Sequence, residues 1–242
     1  MSEPEEIFVL NKRVRLLQPP KGFRTSLDSV MLAAACPAKE GDHVLDMGAG
    51  VGGASFCLFK RTGCRVTGIE LQPEYATLAQ QNIALNNAEG LAAFIQSDIR
   101  DYKAEAPFDH VICNPPYFEA GAHTPSPDDI RAQALGHQDE AISVKDWIDA
   151  GFRNLRSGGS LTMIHQASMT DDIIQALGRR FGAVEIIPLW PHAGEAAKRV
   201  VIRARKDRQT PCTLHPGLIL HKDEGGYTAE TEEILRDMQP LT

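Results

Sequence analysis

The chain has 242 residues, of which 43% are hydrophobic and 24% are charged, a balance typical of a folded globular protein. It contains no run of about 18 apolar residues, so we expect no membrane span. The N-terminus carries acids where a secretory signal needs positive charge. The five cysteines show no Cys-x-x-Cys spacing, which argues against a disulfide framework or a zinc ribbon. The N-terminus and the cysteines together predict a cytoplasmic protein. The histidines are not clustered either, so we expect no metal site.

The charge is acidic overall but uneven along the chain. With 25 basic and 32 acidic residues the net charge is −7, which argues against indiscriminate binding of nucleic acid. Two stretches, 12–24 and 198–208, are nevertheless strongly basic. The sequence leaves two interpretations open: the stretches form one surface that binds a polyanion, or they are ordinary solvated faces. The candidate RNA-contacting residues in them are Arg13, Arg15, Lys198, Arg199, Arg203 and Arg205.

Apolar runs alternate with helical patterns in the order that builds a parallel sheet. The predicted strands are 43–47, 65–71, 94–99, 110–113, 161–165, 184–189 and 200–204, with helices at 52–61, from Pro73, around Trp147 to Leu155 with a stop at Gly158, at 171–181 and at 228–238. The gap before the last strand is too short for a helical crossover, so the final pair is expected to be antiparallel. The fold class is therefore α/β, with a Rossmann-like, mostly parallel seven-stranded sheet, an antiparallel terminal hairpin and helices on both faces.

We expect one domain over residues 1–242. Its parts are an N-terminal segment over 1–40 that covers the site, a core over 41–207 and a C-terminal extension over 208–242. Residues 118–142 are predicted to form a polar loop. In such sheets ligands bind at the carboxyl ends of the parallel strands, so the informative residues are those that follow each strand.

The first strand runs into DMGAGVGG at 46–53, and Glu70 ends the second strand. Glycines in this pattern suit a nucleotide loop, and a carboxylate at the second strand accepts both hydroxyls of a ribose. Asp46 would repel a pyrophosphate but suits an ammonium group, and Asp98 after the third strand suits the amine of adenine. These acids favour S-adenosylmethionine over NAD. By itself, the glycine pattern also fits a simple tight turn.

The fourth strand runs into Asn114-Pro115-Pro116-Tyr117. An exocyclic amine is a poor nucleophile because its lone pair is delocalised into the ring. The Asn114 side-chain oxygen and the Pro115 carbonyl can accept from its two hydrogens and aim the lone pair, while Pro116 stiffens the turn and Tyr117 stacks on a planar substrate. Acceleration then comes mainly from positioning. In isolation the tetrapeptide also fits a purely structural turn.

These motifs, in this order, resemble the class I S-adenosylmethionine-dependent methyltransferases of the small-domain group, and within it the tRNA adenine-N6 methyltransferases, which modify the adenine beside the anticodon of a valine tRNA. The resemblance continues at 22–32, 131–140 and 191–200. It implies S-adenosylmethionine as cofactor and Asn114 to Tyr117 as the catalytic corner. The cofactor-binding residues are then Arg24, Thr25, Asp46, Gly48, Ala49, Gly50, Glu70, Leu71, Asp98 and Ile99.

The same corner serves several amine substrates, including ribosomal RNA bases and the glutamine amide of release factors. Only about 40 residues precede the first core strand, which leaves little room for a separate recognition domain, and an anticodon loop supplies an already unpaired base. We therefore expect tRNA as the partner and its adenine N6 as the target. A ribosomal RNA amine, a protein glutamine, an NAD-dependent oxidoreductase and a non-catalytic RNA-binding module remain the alternatives, and the sequence does not predict the oligomeric state.

Overall fold

The computed structural model describes residues 3–22, 25–117 and 142–241. Its strands are β1 (Glu5–Val9), β2 (Val14–Gln18), β3 (His43–Met47), β4 (Arg65–Glu70), β5 (Ala92–Gln96), β6 (Phe108–Cys113), β7 (Leu155–Gln166), β8 (Phe181–Trp190), β9 (Arg199–Lys206), β10 (Thr213–Leu214) and β11 (Leu218–Ile219). Its α-helices are α1 (Leu27–Ala35), α2 (Gly53–Thr62), α3 (Pro73–Leu85), α4 (Val144–Asn154), α5 (Thr170–Leu177) and α6 (Ala229–Asp237).

The central sheet has the strand order β10-β8-β9-β7-β6-β3-β4-β5, and β11 also pairs with β8. The five neighbouring strands β5, β4, β3, β6 and β7 are parallel to one another. Strand β9 is antiparallel to both β7 and β8. The predicted α/β class, mostly parallel sheet and antiparallel terminal pair are confirmed. All seven predicted strands form, and two two-residue strands, β10 and β11, extend the sheet beside β8.

Both faces of the sheet are covered, as the alternation along β3 illustrates. Val44 packs into the apolar cluster that contains residues of α1 and α2, while its neighbour Leu45 packs into the opposite cluster with residues of α4 and α5. Both side chains are completely buried. A strand that is apolar on both faces is the pattern of a parallel sheet between two helical layers.

Several element boundaries differ from the sequence-based prediction. Helix α4 ends at Asn154 instead of at Gly158, and β7 begins directly at Leu155. Leu155 is already extended and lies opposite Phe108 of β6. The Asn154 side chain fixes this end, because it donates to the Ala150 carbonyl and accepts from the Ala104 amide. Strand β5 ends at Gln96, so the residues predicted to close that strand lie in the following loop.

The α5 region differs as well. The helix predicted over 171–181 ends at Leu177, followed by a 3₁₀ turn. Gly178 there has φ +55° and ψ −153°, a backbone conformation open essentially to glycine alone, and the α-helix ends at this residue.

The first 40 residues contain elements that the sequence did not predict. Strands β1 and β2 form an antiparallel hairpin, and α1 follows it. Asn82 of α3 holds the hairpin by accepting from the Leu17 amide at 2.7 Å and donating to the Leu17 carbonyl at 3.1 Å. This side-chain amide therefore continues the backbone pairing at the open edge of β2.

Within the described ranges, no helix is long and apolar enough to cross a membrane. The same residues contain no group of three or more histidine, cysteine, aspartate or glutamate side chains placed to hold a metal ion. Arg24, the segment 131–140 and the predicted polar loop, apart from Ile142, lie outside the described residues.

Candidate active site

Two adjacent cavities lie at the carboxyl edge of the parallel strands. The inner cavity, of about 220 Å³, is lined by residues that follow β3, β4, β5 and β6. The outer cavity, of about 660 Å³, lies between the 114–117 turn, α4, α5 and the end of β7. Pro116, Ile142 and Trp147 belong to the walls of both cavities, so the two spaces meet at the turn that follows β6.

The glycine loop forms one wall of the inner cavity. Gly48 and Gly50 have φ of +68° and +56°, in the left-handed region that favours glycine. The amides of Gly48 and Ala49 both donate to the Ile69 carbonyl, at 2.8 and 3.0 Å. These bonds fix the loop after β3 against the neighbouring strand β4.

Glu70 is held by two backbone amides, one from this loop and one from the residues that follow β4. Its Oε2 accepts from the Gly50 amide at 2.8 Å and its Oε1 accepts from the Gln72 amide at 2.9 Å. The residue is buried yet lines the inner cavity. Since each carboxylate oxygen accepts more than one hydrogen bond, Glu70 can still accept from a ligand in that cavity.

Asp46 lies behind the loop and is almost fully buried. Burial raises the pKa of its carboxyl to about 7; the Glu70 charge acts in the same direction, and the hydrogen bond from Ser55 opposes it. The Ser55 hydroxyl donates to Asp46 Oδ2 at 2.6 Å. A cationic group beside Asp46 would favour the ionised form, because opposite charges lower a carboxyl pKa.

Asp98 takes part in a local ion pair in the loop after β5. Arg100 donates to both of its carboxylate oxygens, with Nη2 2.6 Å from Oδ2, and this interaction lowers the pKa of Asp98. Among the predicted cofactor residues, the inner-cavity wall contains Gly48, Gly50, Glu70, Leu71 and Ile99. Ala49 is buried, and Thr25 lies over the first residue of α2.

The 114–117 turn stands between the two cavities. Asn114 lines the inner cavity, Pro115 lines the outer one and Pro116 lines both. The Tyr117 hydroxyl lies 3.1 Å from Asn114 Oδ1 and 2.8 Å from Asp28 Oδ2. A group that reaches from the outer cavity to Asn114 therefore meets whatever occupies the inner cavity at this turn.

Three polar side chains that the sequence motifs did not place in the catalytic corner surround Tyr117. Asp28 from α1 receives a hydrogen bond from Arg199 Nε at 3.1 Å, and the Arg199 guanidinium carbon lies 4.7 Å from the Tyr117 ring centroid. His165 meets the same ring edge-on at 5.1 Å. Asp28 stands out in the sequence as the one charged residue of the mainly apolar LDSVMLAAA, and His165 lies near a strand's carboxyl end.

His165 is neutral at physiological pH. Burial, and then the charge of Arg199, lower its pKa to about 4. Its Nδ1 accepts from the Gln166 amide at 2.9 Å, so the ring proton is on Nε2. His165 also lines the outer cavity, where it can act as a hydrogen-bond donor.

The structure does not gather the six predicted RNA contacts on one face. Lys198 is exposed and precedes Arg199. In the antiparallel register of β7 and β9, Arg199 lies opposite Gln166, at the carboxyl end of β7. Arg205 instead lies opposite Ser160 in this register, nearer the start of β7. Arg203 lies between them and is engaged by Glu185, with Nε 2.9 Å from Oε1.

The other two belong to the separate β1–β2 hairpin, Arg13 in its turn and Arg15 in β2. Arg15 bonds Glu6 at 2.7 Å and its amide donates to Asn86, which caps the C-terminus of α3. Arg13 donates to the Arg236 carbonyl in α6. Helix α3 has 13 residues and begins just after β4, so Arg15 is separated from the carboxyl edge by about 20 Å of helix.

The comparison with protein families is decisive for the class of protein. Residues 29–156, more than half of the chain, match the model of the TRM5/TYW2 methyltransferase domain. The chain belongs to this family. The predictions of a class I, S-adenosylmethionine-dependent N-methyltransferase are confirmed, and a dehydrogenase is set aside.

Relatives of this methyltransferase span nearly the same length. A protein of Aeromonas hydrophila named tRNA1(Val) (adenine(37)-N6)-methyltransferase is 28% identical over 209 residues, which cover 85% of this chain and 86% of the relative. A Shewanella baltica protein of the same name is 27% identical over 223 residues, 89% of this chain and 92% of the relative.

Solved structures share the methyltransferase fold. The crystal structure of a predicted O-methyltransferase from Agrobacterium tumefaciens has a TM-score of 0.71 at 25% identity, covering 88% of this chain and 98% of that one. That of Pyrococcus horikoshii TYW2 in complex with MeSAdo has a TM-score of 0.57 at 15% identity, covering 85% of this chain and 72% of that one.

Proposed function

We propose that this methyltransferase transfers the methyl group of S-adenosylmethionine to the exocyclic N6 amine of an adenine in tRNA, with the anticodon-loop adenine of a valine tRNA as the leading substrate. The observation that carries the proposal is the position of Asn114 to Tyr117 between the two cavities. The names of the Aeromonas and Shewanella relatives support the choice of substrate.

The inner cavity has the chemistry that this cofactor needs. Glu70 would accept from the ribose hydroxyls, Asp46 would face the ammonium group, and the apolar side chains of Leu71 and Ile99 would enclose the adenine ring, with Asp98 near its amine. Gly48, Ala49, Gly50, Thr25 and Arg24 complete the proposed cofactor set. When bound, the cofactor supplies an electrophilic methyl group on a sulfonium.

The corner would act on the amine without a strong base. Asn114 Oδ1 and the Pro115 carbonyl accept from the two amine hydrogens and direct the nitrogen lone pair toward the inner cavity. After transfer the methylated nitrogen would carry a positive charge and a surplus proton. It is then a strong acid and would lose this proton to water. The contribution of the protein is orientation, which supplies a large part of the acceleration in such reactions.

The outer cavity would hold the target base. Its wall combines the apolar Pro115, Val144 and Met169 with the donor His165 and with Gln175, a mixture that suits a planar base with polar edges. An unpaired loop base reduces the cost of flipping. Of the six candidate RNA contacts, Lys198 is exposed and lies next to this cavity, since its carbonyl accepts from the Ala167 amide. Its ammonium group would contact the RNA backbone, and such phosphate contacts position the nucleic acid.

The test is transfer of labelled methyl to an unmodified valine tRNA transcript, followed by nucleoside analysis. We expect labelled N6-methyladenosine with this transcript and none with a matched transcript that has guanine at the target position. Ribosomal RNA and a release factor serve as parallel substrates. Labelling of either one, without labelling of any tRNA, would refute the proposed substrate while leaving the corner's chemistry intact.

A further inference from the structure

The Tyr117 hydroxyl has one proton and two oxygen neighbours. Asp28 Oδ2 lies at 2.8 Å and Asn114 Oδ1 at 3.1 Å. Hydrogen bonds to a carboxylate are shorter and stronger than those to a neutral amide oxygen. The shorter of the two contacts is indeed the one to the carboxylate, so the phenolic proton belongs mainly to the bond with Asp28.

Arg199 holds the Asp28 carboxylate in this position. Its Nε lies 3.1 Å from the same Oδ2 that accepts the hydrogen bond from the Tyr117 hydroxyl, and its guanidinium stacks on the Tyr117 ring. The Asp28 side chain is only 13% exposed. The carboxylate therefore has two donors and little access to water, which favours a single arrangement of the cluster.

We propose that Asp28 is a positioning residue that accepts the hydrogen bond of the Tyr117 hydroxyl and thereby leaves both lone pairs of the Asn114 side-chain oxygen available to the substrate amine. The inference rests on the proposed role of Asn114. If the phenol donated to Asn114 instead, it would use one of the two lone pairs of that oxygen and leave it a weaker and less freely oriented acceptor for the amine. Arg199 then serves the corner as the counter-ion of Asp28 rather than as an RNA contact.

Asp28→Asn isolates this effect, because it keeps the size of the side chain and removes its charge. In the variant the phenolic proton is no longer drawn away from Asn114. Tyr117→Phe removes that proton altogether and keeps the ring. The inference therefore requires that adding Tyr117→Phe to Asp28→Asn partly restores the rate of methyl transfer. If both substitutions only disturbed packing, the double variant would instead be slower than either single variant.

The experiment measures single-turnover methyl transfer to tRNA at saturating cofactor for the wild type, both single variants and the double variant. We expect Asp28→Asn to reduce the rate by about tenfold or more, with unchanged cofactor affinity, and the double variant to recover at least about threefold over Asp28→Asn. Asp171→Asn, an exposed acid in the first turn of α5, is the matched control. An unimpaired Asp28→Asn enzyme, or a double variant no faster than it, would overturn the inference.

A second readout does not depend on the substrate. Burial raises the pKa of Tyr117, and the Asp28 carboxylate raises it further. Asp28→Asn should therefore shift one phenolate absorbance titration to lower pH, and this titration should be missing in Tyr117→Phe. An unmoved titration would contradict the hydrogen bond. A shifted titration in a protein that methylates no RNA would instead refute the proposed function alone.

Discussion

The Trp147 indole packs directly on Gly48. A Cβ at position 48 would lie 2.6 Å from Trp147 Cη2, which is closer than such atoms approach. Because Trp147 lines both cavities, this contact makes α4 a direct support of the glycine loop. Gly48 is thus required both for its left-handed φ and for the absence of a side chain.

Gly48→Ala should therefore weaken S-adenosylmethionine binding by about tenfold or more, because the loop must shift or Trp147 must move. Isothermal titration calorimetry measures the affinity. Gly90→Ala is the matched control, since Gly90 has φ +75° but nothing within 4 Å of the added Cβ. It should carry the backbone strain of about 1–2 kcal/mol without the loss of affinity. Equal affinity losses would mean that strain, not the indole contact, matters.

Asn114→Ala should abolish methyl transfer while leaving the cofactor bound. We expect a rate at least about 100-fold below that of the wild type, because the amine loses an acceptor that orients it, and a change in cofactor affinity of less than about threefold. Single-turnover rates and calorimetry on the same preparation separate the two. A variant that turns over at the wild-type rate would remove Asn114 from the mechanism.

Cofactor binding should release a proton near neutral pH. The pKa of Asp46 is raised to about 7 by burial, and a cationic ammonium beside it would lower that value. Affinity should then be highest above pH 7 and fall, by up to about tenfold per pH unit, as the pH drops below 7 and the carboxyl must first ionise.

Calorimetry in buffers of different ionisation enthalpy measures this release. The observed enthalpy should depend on the buffer for the wild type and lose that dependence in Asp46→Asn. Glu70, whose charge also acts on Asp46, stays in place in this variant and serves as the internal reference. A buffer-independent enthalpy in the wild type at pH 7 would contradict the proposed contact.

Lys198→Glu should weaken tRNA binding by several-fold and reduce the slope of log affinity against log salt by about 1. Arg15→Glu is its control, because the length of α3, about 20 Å, separates Arg15 from the carboxyl edge of the sheet. Fluorescence anisotropy across a salt series measures both. If Arg15→Glu has the larger effect, the tRNA contacts the β1–β2 hairpin instead.

The sequence by itself determined the order of the strands along the chain and the edge of the sheet at which the candidate site lies. The loop at 46–53 and the turn at 114–117 are short-range signals, because glycine conformations and proline turns depend on neighbouring residues. Once the strands are parallel, their carboxyl ends meet at one edge. For this reason Gly48, Glu70 and Asn114 share the wall of one cavity, as the motifs predicted.

Only the tertiary structure decided which side chains surround the corner. Asp28 and Arg199 are separated by 171 positions in the chain, and they meet because β9 inserts between β7 and β8. The periodicity of a strand reports which of its faces is buried but not which strand lies beside it. The sequence therefore left open whether the basic stretch at 198–208 forms one charged surface. The structure places Arg199 opposite Gln166 and Arg205 opposite Ser160, so the extended strand spreads these charges along its length.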